Sequence, residues 1–235
     1  MGTGITHSTS VARYGDVPMI QGYDGDALLS QLEALTAPQR RAFSTACAEV
    51  LLLHFASVST VGHSAGTEEC ERVVHFCWDA VERGALESGP SETVDLLRAG
   101  LEEILSQDEE GELEAMEHVI AGAYYALASS RAGDAGRAEL VAKNLYEAAD
   151  YTILADPATD LVDPNARREI LASDVVQWAL SAIVRIHDLV ATRTFQGDVC
   201  AVEISQVREF VSRGTGNEVS SGAAAWWARW SRPCS

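Results

Sequence analysis

The 235-residue chain is short of basic residues and of long apolar runs. It has one lysine, Lys143, and 17 basic residues against 35 acidic ones, which leaves a formal net charge of −18. Such a surface repels phosphate backbones and anionic lipid, so we expect no nucleic-acid partner and no membrane-surface role.

The longest apolar runs, such as Val50–Leu53, are too short to cross a bilayer. The N-terminus also lacks the basic and apolar regions of a secretory signal. We therefore expect a cytoplasmic protein, and sixteen arginines to one lysine are typical of a high-GC bacterial genome.

The cysteines are few, odd in number and widely scattered: Cys47, Cys70, Cys77, Cys200 and Cys234. This pattern argues against a disulfide framework and favours buried free thiols in a reducing compartment. Zinc sites commonly pair their cysteines two to four residues apart, whereas Cys70 and Cys77 are seven apart within one apolar helical stretch. We therefore predict that both belong to the core.

The apolar residues recur at helical spacing along most of the chain, and no segment shows the alternation of a half-buried strand. Leu28, Leu32 and Leu35 lie on one helical stripe, and Thr36 is placed to cap the next helix, with Pro38 in its first turn. The pattern predicts an all-α, single-domain multi-helix bundle or array of about eight helices. The longest of these is expected over residues 165–192.

We divide the chain into three parts: a flexible N-terminal arm (1–24), a helical domain (25–212), and a linker with a Trp/Arg-rich C-terminal tail (213–235). The arm and the linker are rich in Gly, Ser and Thr and show no periodicity.

Several stretches of the helical domain resemble the YjaG-like family of bacterial proteins of unknown function. The similarity begins at LLSQLEALTAPQRRAFSTACAEV, which carries Phe43, Cys47 and Glu49, and continues at VVHFCWDAVE with Trp78. It resumes at MEHVIAGAYYALASS and ends near IVRIHDLV, so that it covers about residues 25–212. The family tends to have Arg after the Glu of the second helix and Pro-x-Tyr shortly after, where this chain has Val50 and LLLHF. The resemblance implies an all-α fold and no particular reaction.

Acidic residues are concentrated where the fourth helix gives way to the fifth. Eight fall within sixteen residues with no base among them: Glu102, Glu103, Asp108, Glu109, Glu110, Glu112, Glu114 and Glu117. Like charges at this density disfavour folding unless they are compensated. The cluster is a solvated helix junction, a docking surface for a cationic partner or a divalent-cation site. We select it as a partner-binding surface.

The C-terminal tail reverses this charge and adds aromatic residues. Trp226, Trp227 and Trp230 lie beside Arg229 and Arg232. Tryptophan and arginine are the residue types that dominate the energetics of interfaces. The tail is expected either to dock onto the acidic body, to bind another subunit or partner, or to be disordered. We include its tryptophans among the candidate partner-binding residues.

The sequence contains no assembled catalytic, metal-binding or cofactor-binding motif. Glu114 and His118 share a helical face but lack the Glu-x-x-His spacing of di-iron bundles. His187 and Asp188 are adjacent on a helix and point in different directions. No Gly-x-Ser-x-Gly elbow, dinucleotide fingerprint or P-loop is present. We therefore predict no catalytic residue, no metal and no cofactor.

These observations favour a non-enzymatic interaction protein whose acidic helical surface binds a basic protein partner. An immunity-type inhibitor of a cationic toxin is one concrete case. Two alternatives stay open. One is a helical-bundle enzyme, or a small-molecule or metal-binding protein, with a site assembled inside the bundle from Glu114, His118 or His187. The other is a structural homo-oligomer held by the C-terminal tail.

Overall fold

A computed structural model describes residues 20, 22–55, 64–84, 91–106, 115–155, 159, 163–196 and 200–216. Within these ranges the chain is all-α, as predicted. The helices are α1 (Gly25–Glu33), α2 (Ala37–Phe55), α3 (Ser64–Glu82), α4 (Ser91–Ser106), α5 (Ala115–Ala132), α6 (Ala135–Leu154), α7 (Ala166–Ala172), α8 (Asp174–Ala191) and α9 (Cys200–Gly216).

Helix α2 lies at the centre of the array, in contact with α3, α5, α6, α8 and α9. It is apolar around most of its circumference, which is typical of a helix buried on all sides. Cys47 and Leu51 are fully buried. Helix α5 approaches α2 closely at Gly122, where an added Cβ would lie 2.5 Å from Leu51 Cδ1. The small residues of α5 therefore let the two central helices pack side by side.

The predicted start of α2 is confirmed, and its cap also binds a second helix. Gln39 Oε1 accepts from the backbone N–H of Thr36 at 2.8 Å, the reciprocal half of a capping box. The Nε2 group of the same side chain donates to the carbonyls of Val190, Ala191 and Arg193, at 3.2, 3.1 and 2.8 Å. One glutamine therefore links the first turn of α2 to the end of α8.

The prediction of a single long helix over residues 165–192 is wrong. Ser173 is extended (φ −65°, ψ 145°) and separates α7 from α8, whose axes differ by 56°. Its Oγ donates to the Ile170 carbonyl at 2.7 Å, a local bond by which serine competes with the helical backbone. This break raises the number of helices in the described ranges from the expected eight or so to nine. The last helix, α9, extends to Gly216.

The cysteine prediction is confirmed for the four thiols in the described part of the chain. Cys47, Cys70, Cys77 and Cys200 are buried and unbridged, whereas Cys234 lies outside the described residues. Burial raises the pKa of the first three thiols, so they stay protonated at neutral pH.

Among the described helices, none alone has the length and apolarity to cross a membrane; only the bent pair of α7 and α8 meets both criteria together.

Candidate functional site

The predicted acidic surface is described only at its two borders. Glu102 and Glu103 are exposed near the end of α4, and Glu117 is exposed in the first turn of α5. Helices α4 and α5 pack against each other, so the surface that they form together carries all three exposed carboxylates. The remaining candidates lie outside the described residues: Asp108, Glu109, Glu110, Glu112, Glu114, Trp226, Trp227 and Trp230.

In the described part of the chain, four arginine side chains donate to backbone carbonyls at or just beyond helix ends. Arg40 donates to the carbonyls of Leu35, at the end of the α1 segment, and Gly133, after α5. Arg41 and Arg137 donate to backbone carbonyls in the last turns of α5, at 3.1 and 3.0 Å. Cations at helix C-termini satisfy orphan carbonyls and complement the helix dipole. These guanidinium groups are therefore committed to holding helices together.

Arg193 follows the same rule at the end of α8, where it donates to the Leu189 carbonyl at 2.5 Å. Arg72, Arg83 and Lys143 pair with acids three or four residues away in the chain, and Arg167 of α7 pairs with Asp150 of α6. The exposed local pairs of Arg83 and Lys143 contribute little to stability. In the described part of the molecule, several cationic side chains therefore bind backbone carbonyls or nearby acids in the chain. Many of the acidic side chains, in contrast, face solvent.

Two acids in the described part of the chain, Glu49 and Glu69, are buried, and Glu49 joins three helices. Glu49 of α2 accepts from the indole Nε1 of Trp78 on α3 at 3.0 Å and from Nε of Arg208 on α9 at 3.2 Å. Its side chain is 10% exposed. A carboxylate at this depth is stabilised only by such donors. The contact joins two residues that carry the family resemblance, Glu49 and Trp78, and fastens α9 across α2 and α3.

The histidines considered for an internal enzymatic site do not share contacts. His118 Nδ1 lies 3.4 Å from Asn144 Oδ1 and 4.0 Å from Glu147 Oε2 on α6. His187, on α8, instead contacts its neighbour Asp188 at 3.4 Å and packs edge-on against Phe43. Glu114 is outside the described residues. Among the residues that are described, no group of three or more His, Cys, Asp or Glu side chains is arranged to hold a metal ion.

A second polar region, which the sequence did not reveal, lies where the chain enters α1. An open depression of about 640 Å³ is bordered by Gly22 to Asp26, Glu139, Leu140 and Lys143. The Tyr23 hydroxyl donates to Glu139 Oε1 at 2.7 Å, and its ring stacks on Tyr146 with centroids 5.3 Å apart. Burial, with the neighbouring Glu139 carboxylate, holds the pKa of Tyr23 well above its usual range. The hydroxyl is therefore a permanent donor.

Residue 20 is also held by side chains distant in sequence. The Gln177 amide accepts from the Ile20 N–H and donates to the Ile20 carbonyl, both at 2.9 Å. The end of the predicted arm thus contacts the helical domain. No sequence signal marked these residues, because Gln177 and Ile20 are 157 positions apart and each occurs in an unremarkable local pattern.

Comparison with known proteins yields a likeness of fold. A crystal structure of a DUF416 family protein from Shewanella baltica OS155 is similar, with a TM-score of 0.62 and 17% sequence identity. The similarity covers 79% of this chain and 93% of that one. No family model matches the chain, and no curated protein matches it. The all-helical fold implied by the family resemblance is therefore confirmed, whereas membership of the YjaG-like family stays a prediction.

Proposed function

We propose that the protein is a non-enzymatic interaction protein whose acidic helical surface binds a basic protein partner. The observation that carries this proposal is the separation of charge. The net charge is −18, and Arg40, Arg41, Arg137 and Arg193 are committed to backbone carbonyls. The acids on α4 and α5 therefore present a negative field to solvent, which speeds and orients encounters with a cationic protein.

The partner class follows from the same physics. A negative field attracts a protein with clustered Arg or Lys and repels nucleic acids and anionic lipid. Cationic nucleases that are neutralised by acidic inhibitors fit this description, and an immunity-type role is one form of the proposal. Rim charges act chiefly on the association rate, so binding is expected to weaken steeply with salt.

The test compares two variants with equal net charge. In the first, Glu102, Glu103 and Glu117 are changed to Gln. In the control, three exposed acids on other helices, Glu33, Glu68 and Glu169, are changed to Gln.

Each immobilised full-length variant is exposed to host lysate at about 50 and about 300 mM salt, and retained proteins are identified and then remeasured in purified form. We expect a basic protein that binds wild type and control alike at low salt. The first variant should lose at least about tenfold in affinity, as expected when about 1.4 kcal/mol is removed. Equal binding by the two variants, or no basic protein retained at low salt, would refute the proposal.

A further inference from the structure

The segment that precedes α1 is bound to the domain as a peptide ligand is bound. Ile20 contacts α8 and Tyr23 contacts α6. We name the described residues before α1, residues 20 and 22–24, the strap. Ile20 offers only its backbone to Gln177, and Tyr23 offers its ring and hydroxyl to Tyr146 and Glu139.

Gln177, the side chain on α8 that binds Ile20, is held in place by the Leu171 carbonyl. Gln177 Nε2 donates to the Leu171 carbonyl at 2.7 Å as well as to Ile20. That carbonyl lies in the last turn of α7, just before the break at Ser173. The Gln177 amide is thereby held in the orientation that pairs with both main-chain polar groups of Ile20. Because the amide binds only main-chain atoms, selectivity at this position comes from the Ile20 side chain, which packs against the hydrophobic core.

The receiving side chain on α6 is preorganised in the same way. The Tyr146 hydroxyl accepts from Arg167 Nη2 at 2.5 Å, and the same guanidinium is paired with Asp150 at 2.8 Å. The Tyr146 ring is therefore a fixed platform on which the Tyr23 ring lies at an interplanar angle of 12°. Aromatic stacking of this kind adds to the area that is buried.

We propose that two anchors, Gln177 on α8 and the pair Glu139 and Tyr146 on α6, form a peptide-docking site. The strap occupies this site in cis. When the strap is displaced, the site takes an extended segment of a partner protein in which a backbone-paired aliphatic residue is followed three positions later by tyrosine. The occupant seen in the structure supplies this pattern, because its own residues 20 and 23 fill both anchors. Rigid, preorganised anchors lower the ordering cost of binding, and that favours binding in trans.

The test weakens the strap and supplies the same pattern as a separate molecule. The probe is a labelled peptide of sequence VPMIQGYD, residues 17–24, titrated against the full-length chain. A tethered strap competes at an effective concentration in the millimolar range. We therefore expect Tyr23→Ala to bind the peptide at least about tenfold more tightly than wild type. The conservative Tyr23→Phe, which keeps the stack and loses the bond to Glu139, should fall between them.

Further variants show whether the peptide occupies the same anchors. Adding Gln177→Met to Tyr23→Ala should reduce affinity at least about tenfold, and a peptide with Ala in place of its tyrosine should bind equally poorly. Tyr125→Ala is the matched control, because Tyr125 is half-buried on α5 and its ring packs edge-on against Tyr124 instead of against the strap. Circular dichroism of each variant checks that the helices are formed.

Three results would overturn the proposal. The first is absence of saturable binding to a folded Tyr23→Ala chain. The second is binding that Gln177→Met leaves unchanged. The third is a wild-type dimer that Tyr23→Ala dissolves, which would assign the site to strap exchange between two copies instead of a partner. Because none of these measurements involves the acids of α4 and α5, failure here leaves the proposed function standing, and the reverse also holds.

Discussion

Removing the guanidinium of Arg208 tests how a buried acid fastens the last helix. Arg208→Met keeps the length and apolar stem of the side chain but removes the donor to Glu49. The Glu49 carboxylate, 10% exposed, then keeps the Trp78 indole as its partner. An anion at that depth lacks the water that would replace the lost donor, so the folded state is destabilised.

The size of the effect follows from the exposure of the two partners. Breaking a fully buried ion pair costs about 3–5 kcal/mol, and an exposed pair contributes about 0–1 kcal/mol. Arg208 is 47% exposed and Glu49 is 10% exposed, so the pair lies between these limits. We expect a loss of about 2 kcal/mol in the free energy of unfolding, which for a chain of this size lowers Tm by about 4–8 °C.

The assay is thermal and urea unfolding followed by circular dichroism, arranged as a double-mutant cycle. Glu49→Gln keeps an acceptor for Trp78 and removes the charge, so Arg208→Met should cost at least about 1 kcal/mol less in that background. Arg168→Met is the control, because Arg168 is exposed on the short helix α7. If Arg208→Met costs no more than this control, or if the cycle is additive, the buried carboxylate does not depend on Arg208 and the reasoning is refuted.

Three other changes have defined outcomes. Burial beside Trp178 lowers the pKa of His54 to about 4. The contribution of the neutral His54 imidazole to the free energy of unfolding is therefore complete above the unfolded-state pKa of about 6.5 and is lost as the pH falls through 4. His54→Phe should therefore lessen the fall in unfolding free energy between these pH values by about 3 kcal/mol; an unchanged pH profile would contradict this. Gly133→Ala should lower the urea midpoint by the equivalent of about 1–3 kcal/mol, because Gly133 has φ +62° and an added Cβ would lie 2.6 Å from the Ala37 carbonyl; a neutral effect would mean that the turn adapts. Gln39→Met should cost about 1–3 kcal/mol and increase hydrogen exchange at the end of α8, whereas loss of stability without that local increase would argue against the shared cap.

Local chemistry made most of the helices predictable. Thr36 and Gln39 are three residues apart, and the apolar stripes of α3 and α8 repeat at helical spacing, so the signal lies within one or two turns of chain. The break at Ser173 escaped prediction for the opposite reason. Apolar periodicity continues on both sides of it, and no Gly or Pro interrupts the pattern. Only the packing of α7 and α8 decides that the serine leaves the helix.

The candidate sites divide in the same way. Composition reveals the acids at Glu102, Glu103 and Glu117, because a cluster is visible in one dimension. It cannot reveal that the Arg40 side chain donates to the Gly133 carbonyl, since the end of α5 meets the start of α2 only in the folded chain. The strap depends entirely on long-range contacts. Its two anchors lie more than a hundred residues from the segment that they hold.

The use of arginine on helix ends also determines how the protein responds to its solvent. Added salt weakens ion pairs between opposite charges, but hydrogen bonds from guanidinium groups to uncharged carbonyls are screened less. Repulsion among the surplus acids, in contrast, is screened fully at the surface. Moderate ionic strength should therefore raise the melting temperature, and a cell interior rich in dissolved salt would be a more favourable place for this fold than dilute buffer.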